Sequence, residues 1–416
     1  MTFDVLIRNA SEVVTCDGEL RGPAEVTLGR IERGAVGIVG DRIAWLGTER
    51  AWPEGAVTGS TRVLDANGGF IGPGFVDCHT HVVFAGERAD EFEQRCQGKT
   101  YLEIAAAGGG IARTVRSTRE ATEDDLVASA LPRLDRLLEA GVTTAEVKSG
   151  YGLDLESELR MLRAVRRLGA QQPISLHATF LGLHAVPPEH RESRAAFVDL
   201  VIDVMLPRVV KERLATTCDV FVEQTAFTHD EARRLASKAR ELGLGLRMHV
   251  DQMTANGGAQ LAAELGATTA DHLEQVSPEG IAALAKAGVI AVLAPTSTIF
   301  ARARPFAPGR ALRNAGVLVA LCTNCNPGSS MSENLSLALG LACVENGLTP
   351  AEAYLGFTRV AGLALRDESL GRLVVGGPAD VVAFDSASYR SLPYHFAMNG
   401  VRLVLKAGQI AFMTAK

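Results

Sequence analysis

No run of apolar residues in this chain approaches the roughly 20 that a membrane-spanning helix needs. The opening stretch, MTFDVLIRNASEVVTCDGEL, has no basic segment leading into an apolar core, so no secretory signal is read there. Lysines and arginines are scattered rather than clustered and the formal net charge is -6, which argues against a nucleic-acid partner. The expectation is a cytoplasmic protein bound to neither membrane nor nucleic acid. The seven cysteines, at 16, 78, 96, 218, 322, 325 and 343, are odd in number and follow no regular framework, as suits reduced thiols. The CxxC of CTNC stands alone, with no second pair and no thioredoxin-like helix behind it. Cys322 and Cys325 therefore read as packing residues rather than redox or zinc thiols. No GxGxxG follows the first central strand, which counts against a doubly wound dinucleotide fold.

What is present suits one large core with a satellite domain: 416 residues, 47% hydrophobic and 22% charged. Residues 1–70 hold short β-rich runs, DVLIRNA, GAVGIVGDRIAWLGT and TRVLDANGG, broken by Gly, Asp and Asn. The tail, 367–416, reads the same way, with GRLVVGGPADVVAFD and GVRLVLKAGQIAFM, so the two ends are expected to pair into one small β domain. Between them, 71–366 alternates apolar strands with helical stretches. The strands are GFVDCHTH, GVTTAEVKSG, ISLHATFLG, CDVFVEQTA, LGLRMHVDQ, ATTADHLEQ, GVIAVLAP and GVLVALCTN. Eight such strands separated by helices predict an α/β fold, a (β/α)8 barrel of the TIM type. Polar residues cluster at the expected C-terminal strand ends: His79, His81, Lys148, His177, Glu223, His249, His272 and Asn324. Barrel active sites form at that face.

DCHTH places His79 and His81 two apart on one strand, so both imidazoles point to the same side. His249, in RMHVDQ, is the natural third ligand from across the barrel. Three nitrogens, one further group and a water suit one Zn²⁺ or Fe ion per chain. His272, in TADHLEQ, is read as a base or electrophile beside the metal rather than a ligand. Lys148 is either a carbamylated bridging lysine or one half of a structural ion pair.

FVDCHTHVVFAGERADEFEQR, TAEVKSGYGL, TFLGLHAVP, AELGATTADHLEQ and TNCNPGSS together resemble the imidazolonepropionase family. That family is the histidine-degradation branch of the amidohydrolase superfamily, and the likeness spans nearly the whole chain. It implies a metal-containing (β/α)8 barrel with a small β-sandwich domain built from both chain ends, assembled as a homodimer. The implied reaction is hydrolysis of 4-imidazolone-5-propanoate to N-formimidoyl-L-glutamate. Carried over by position, it makes His79, His81 and His249 metal ligands, with Asn324 in the fourth place. Arg88 would clamp the propionate, as a bidentate guanidinium suits a carboxylate. Tyr151 and His184 would contact the ring, and Asn326, Gly328 and Ser329 would line the pocket.

Two positions depart from the family pattern. The fourth ligand is normally Asp and is here Asn324; the residue three after the third histidine is normally Glu and is here Gln252. Both swaps keep shape and remove basicity, so Gln252 can hold the ring but cannot protonate the leaving nitrogen. General acid–base help is worth about 10²–10⁴ in rate. Either His272 takes over, with Asp251 or Glu274 nearby, or the residues are engineered to trap substrate, or the barrel binds its ligand without turnover. Another amidohydrolase reaction, such as deamination of a heterocycle, is the rival within the enzyme class.

Overall fold

The computed structural model describes residues 1–20, 28–99, 103–104 and 107–414. Eight strands form one parallel sheet in chain order: β1 Phe75–Asp77, β2 Val142–Lys148, β3 Ser175–Leu183, β4 Thr217–Val222, β5 Gly245–Val250, β6 Thr269–His272, β7 Ile290–Leu293 and β8 Val319–Leu321. The sheet closes just beyond the labelled ends of β1 and β8. Asn324 N donates to His79 O at 3.1 Å, and His81 N donates to Cys325 O at 2.9 Å. Every residue of β2, β5, β6, β7 and β8 is buried, as expected of parallel strands covered on both faces.

The covering helices start where the sequence supplies caps. Helix Glu123–Glu139 begins at Thr122 and helix His229–Glu241 at Thr228, each with a reciprocal capping box, to Asp125 and Glu231 respectively. Helix Leu155–Gln171 is capped by Asp154, whose carboxylate accepts from Ser157 N at 2.8 Å.

The chain ends form two further sheets. Strands Arg42–Thr48, Gly34–Val39, Val5–Arg8 and Arg62–Asp65 make a four-stranded sheet in that order. A six-stranded sheet runs Gln409–Met413, Val401–Lys406, Val381–Phe384, Ile71–Pro73, Glu12–Val14 and Arg30–Glu32. The ends meet inside it, where Ile71–Pro73 pairs antiparallel with Val381–Phe384. Ile7, Val36 and Ile38 of the smaller sheet pack with Val13, Ile71, Val381 and Leu405 of the larger in one buried cluster. Ile71–Pro73 thus carries the chain from the sandwich into β1 with only Gly74 between.

All seven cysteines are free. Cys322 and Cys325 are fully buried, and burial pushes both thiols above their ordinary range, so they pack as the sequence suggested. No helix among the described residues is long and apolar enough to cross a membrane.

Candidate metal centre and active site

Directly below the C-terminal mouth of the barrel lies a layer of buried charge. It comprises Glu146 and Lys148 on β2, Asp219 on β4, Arg247 on β5 and Asp271 on β6, each at most 1% exposed. Lys148 Nζ sits 2.7 Å from Asp219 and 2.9 Å from Glu146. Arg247 lies 3.2 Å from Glu146 and 3.4 Å from Asp271, and it also donates to the carbonyls of Cys78 and Ala364. Burial alone would lower the Lys148 pKa, but Asp219 and Glu146 outweigh it and raise it, so the ammonium form is held. Of the two readings of Lys148, the ion pair is the one whose partners are in place.

This layer orients the histidines above it. Asp271 Oδ2 lies 2.6 Å from His79 Nδ1, so that nitrogen carries the proton and Nε2 is left with its lone pair. Asp219 Oδ2 lies 3.0 Å from His249 Nδ1 in the same sense. Burial tends to raise both carboxyls. His249 and Lys148 overcome it at Asp219, and Arg247 and Lys148 overcome it at Asp271, so both stay ionised. Burial pushes His79 and His81 well below the ordinary histidine range and also lowers His249, so all three imidazoles are neutral. Neutral imidazole is the form that binds a metal.

The three ligand atoms lie within 4.8 Å of one another. Nε2 of His79 and Nε2 of His81 are 3.3 Å apart. Two nitrogens about 2.0–2.1 Å from a tetrahedral ion stand about that far apart. His249 Nε2 and His81 Nδ1 are buried with no hydrogen-bond partner among the described residues. The unpartnered buried Nε2 of His249, within reach of the two Nε2 atoms of His79 and His81, fits a metal ion, and His79, His81 and His249 form a buried metal site.

Above the triad a cavity of about 60 Å³ is lined by His81, Tyr151, His184, Phe221, His249, Gln252, His272, Asn324, Asn326 and Ser329. It therefore brings together most of the side chains singled out from sequence. His184 donates from Nδ1 to Gly150 O at 2.9 Å and lies nearly parallel to His81, 5.4 Å between ring centres; burial lowers its pKa to about 4. The Tyr151 ring is 5.3 Å from that of His184. Asn326 organises its own loop: Oδ1 accepts from Gly328 N and Ser329 N, both at 2.8 Å, and Nδ2 donates to Asn324 Oδ1 at 3.2 Å. His272 Nδ1 faces Glu274 Oε1 at 3.7 Å, and Glu274 in turn accepts from Thr298 Oγ1 at 2.8 Å. Non-glycine residues with positive φ collect at this rim: Asp251 (49°), His272 (84°), Leu273 (69°) and Asn324 (48°). Backbone of that kind persists where surrounding bonds over-determine it, commonly at functional sites.

Three sequence expectations land elsewhere. Arg88 lines a neighbouring cavity and is paired with Glu91 at 2.8 Å. A side chain at Gly328 would stand 2.8 Å from Arg88 Nη1, so this glycine is the partition between the two cavities. His177 is only the third residue of β3, so it sits at the opposite end of the strand from the site. Asp251 is occupied as a cap, accepting from Gly258 N at 2.9 Å and Ala259 N at 2.8 Å.

Asp219, Asp271, Arg247 and Phe221 went unread in the sequence. A signal was there: 219 and 221 on β4, with 223 just past its end, and 247 and 249 on β5, recur at the period of two that puts side chains on one face.

The amidohydrolase family profile matches residues 99–412. Over 98% of its length the chain is 60% identical to an imidazolonepropionase of Myxococcus xanthus, covering 97% of that protein. It is 50% identical to one of Anaeromyxobacter dehalogenans, over 98% of this chain and 96% of the other. Among solved structures, a triazine hydrolase variant superposes with a TM-score of 0.75 at 19% identity, covering 98% of this chain and 94% of that one. Ochratoxinase of A. niger gives 0.70 at 17%, covering 98% and 95%. At those identities the structural likeness speaks for the fold, an eight-stranded barrel with flanking sheets. Profile, full-length identity and the histidine site agree: the chain belongs to the imidazolonepropionase family of amidohydrolases.

Proposed function

We propose that this chain is a metal-dependent hydrolase that opens the ring amide of 4-imidazolone-5-propanoate to N-formimidoyl-L-glutamate. The observation that carries the reading is the buried His79, His81 and His249 triad, at the mouth of a barrel 60% identical to an imidazolonepropionase over nearly all its length. Zinc or iron held there supplies Lewis-acid activation of water and of the carbonyl at neutral pH. The chain's own residues do the rest. His272, facing Glu274 through Nδ1, takes the nucleophile's proton on Nε2. Gln252, a neutral amide, holds the substrate by hydrogen bonds, Asn324 offers its amide oxygen at the fourth ligand place, and neither takes a proton. Tyr151 and His184 flank the ring, and Asn326 and Ser329 line its pocket. The propionate passes Gly328 to reach Arg88, whose fork matches a carboxylate. Held this way, the ring carbonyl meets its nucleophile almost as in an intramolecular reaction.

Incubating purified protein with fresh imidazolonepropanoate and following loss of its ultraviolet absorbance tests the reading. Turnover abolished by a chelator and restored by zinc or iron is expected; binding without turnover would instead make the chain a receptor for this ligand. His272→Ala should cost about 10²–10⁴ in kcat, and near-parental activity would remove His272 from the role of base.

The assembly is taken to be a homodimer in the cytoplasm. Support comes from an exposed apolar strip, with Tyr394 82%, Phe396 46% and Met398 66% exposed, laid against helix Leu335–Val344. Sedimentation analysis giving a monomer would exclude the dimer.

A further inference from the structure

Across the Gly328 partition lies a second cavity, of about 360 Å³, six times the volume above the histidines. Four arginines line it, Arg88, Arg95, Arg133 and Arg136, against a single lining carboxylate, Glu87. Two of the four are neutralised locally. Arg88 pairs with Glu91 and Arg136 with Glu333, each at 2.8 Å.

Arg95 and Arg133 make no ion pair among the described residues. Arg133 is only 8% exposed. Its Nη1 donates to the carbonyls of Val82 and Phe84, at 2.7 and 3.3 Å, and its guanidinium carbon lies 3.6 Å over the Phe84 ring. Its Nε and Nη2 make no hydrogen bond among the described residues. Arg95 lies over Phe300 and Phe92, 5.0 and 5.6 Å from the ring centres, and those two rings stack on each other. Burial lowers the pKa of both guanidiniums by more than the nearby acidic groups raise it. Anchoring the 82–84 segment accounts for Arg133 but not for Arg95. An anion in the cavity accounts for both.

We propose that this cavity binds a small dicarboxylic acid of the class that ring opening produces. Its identity as product rests on the function proposed above; its existence as an anion site does not. In the reaction, water oxygen joins the carbonyl carbon, the C–N bond breaks and the nitrogen takes the proton. A substrate with one carboxylate thereby becomes a product with two. Two uncompensated guanidiniums offer one partner to each carboxylate, and Phe84, Phe92 and Phe300 give the methylene chain an apolar wall. Pro327 lines this cavity while Asn326 and Ser329 line the catalytic one, so the two adjoin across Gly328 and product has a basic compartment to leave through.

The test uses the metal-loaded full-length chain, titrated calorimetrically with glutarate as the probe. Arg95→Met and Arg133→Met should each weaken glutarate binding about tenfold or more, while Arg95→Met leaves KM and kcat for imidazolonepropanoate unchanged. Should Arg133→Met fail to fold, Arg95→Met, at a half-exposed position, carries the test alone. Unchanged glutarate affinity in the folded variants overturns the site. Inorganic phosphate binding as tightly as glutarate, with the same loss in the variants, overturns the dicarboxylate assignment. Glutarate binding that the variants weaken, in a protein that never turns over imidazolonepropanoate, would sustain the site and count against the catalytic reading alone.

Discussion

Asp271 decides how His79 presents its lone pair, and that dependence is measurable. In Asp271→Asn the shape is kept and the charge facing His79 Nδ1 at 2.6 Å is lost. Such a partner is typically worth about 10–100-fold in metal affinity, so competition against a chelator should show a loss of that size in a folded protein. Unchanged affinity would mean the ring is held by packing alone. Asn324 invites the reverse experiment. If its amide occupies a ligand position, Asn324→Asp adds a charged donor and should tighten metal binding about tenfold, the gap between neutral and charge-assisted bonds; looser binding would place 324 outside the ligand shell. Gly328→Ala puts a carbon 2.8 Å from Arg88 Nη1 and must displace it, so KM should rise about tenfold with less effect on kcat. An unaltered KM would separate Arg88 from substrate. The three ligands were legible because two histidines at a spacing of two admit few other readings. Asp219 and Asp271 were missed, because the period of two shows which face an Asp takes but not what stands above it until the neighbouring strand is known.

Elements show where the rim gets its rigidity. The segment after β5, which carries Gln252, is fastened at both ends by carboxylates rather than by regular structure. Glu223, just past β4, accepts from Met253 N, Thr254 N and Thr254 Oγ1 at 2.8, 3.0 and 2.6 Å. Asp251, with φ of 49°, caps the helix that follows. Glu223→Ala therefore removes the acceptor of three half-buried hydrogen bonds, at a cost of about 1 kcal/mol, and releases the loop next to Gln252. Hydrogen exchange at residues 253–256 should quicken and kcat should fall, while exchange in β5 itself stays slow. Protection that survives at 253–256 would show that packing, not Glu223, holds the loop. Thr122, Asp154 and Thr228 cap their helices through bonds that lie within four residues of sequence, so each start is set locally. The end at which His177 falls is not, since it depends on where β3 begins, and strand boundaries are set by neighbours rather than by local sequence.

At the scale of the whole molecule, alternation of strand and helix was enough to foresee the barrel, and β-rich patterning at both ends to foresee their pairing, but not which strands pair. Nothing local in Ile71–Pro73 says that Val381–Phe384 is its partner. The barrel interior poses a sharper question: whether the fold needs its metal. Below the ligands, Glu146, Asp219 and Asp271 face Lys148 and Arg247, so three negative charges meet two positive ones before any ion enters. With the histidines neutral, that layer is nearly balanced by itself. The chain should accordingly fold without metal, and metal should stabilise it by mass action, about 4 kcal/mol when free metal is a thousand times its Kd. Lys148→Met acts on the layer directly. It strips Asp219 and Glu146 of a partner at 2.7 and 2.9 Å and should cost about 3–5 kcal/mol. The two perturbations separate in thermal melts followed by circular dichroism. Chelation should lower the midpoint while leaving the low-temperature spectrum intact, and Lys148→Met should lower it in loaded and chelated protein alike. A chelated chain already unfolded at low temperature, with Lys148→Met harmless in the loaded one, would reverse the argument: the ion would then be the keystone, and the charged layer only its lining.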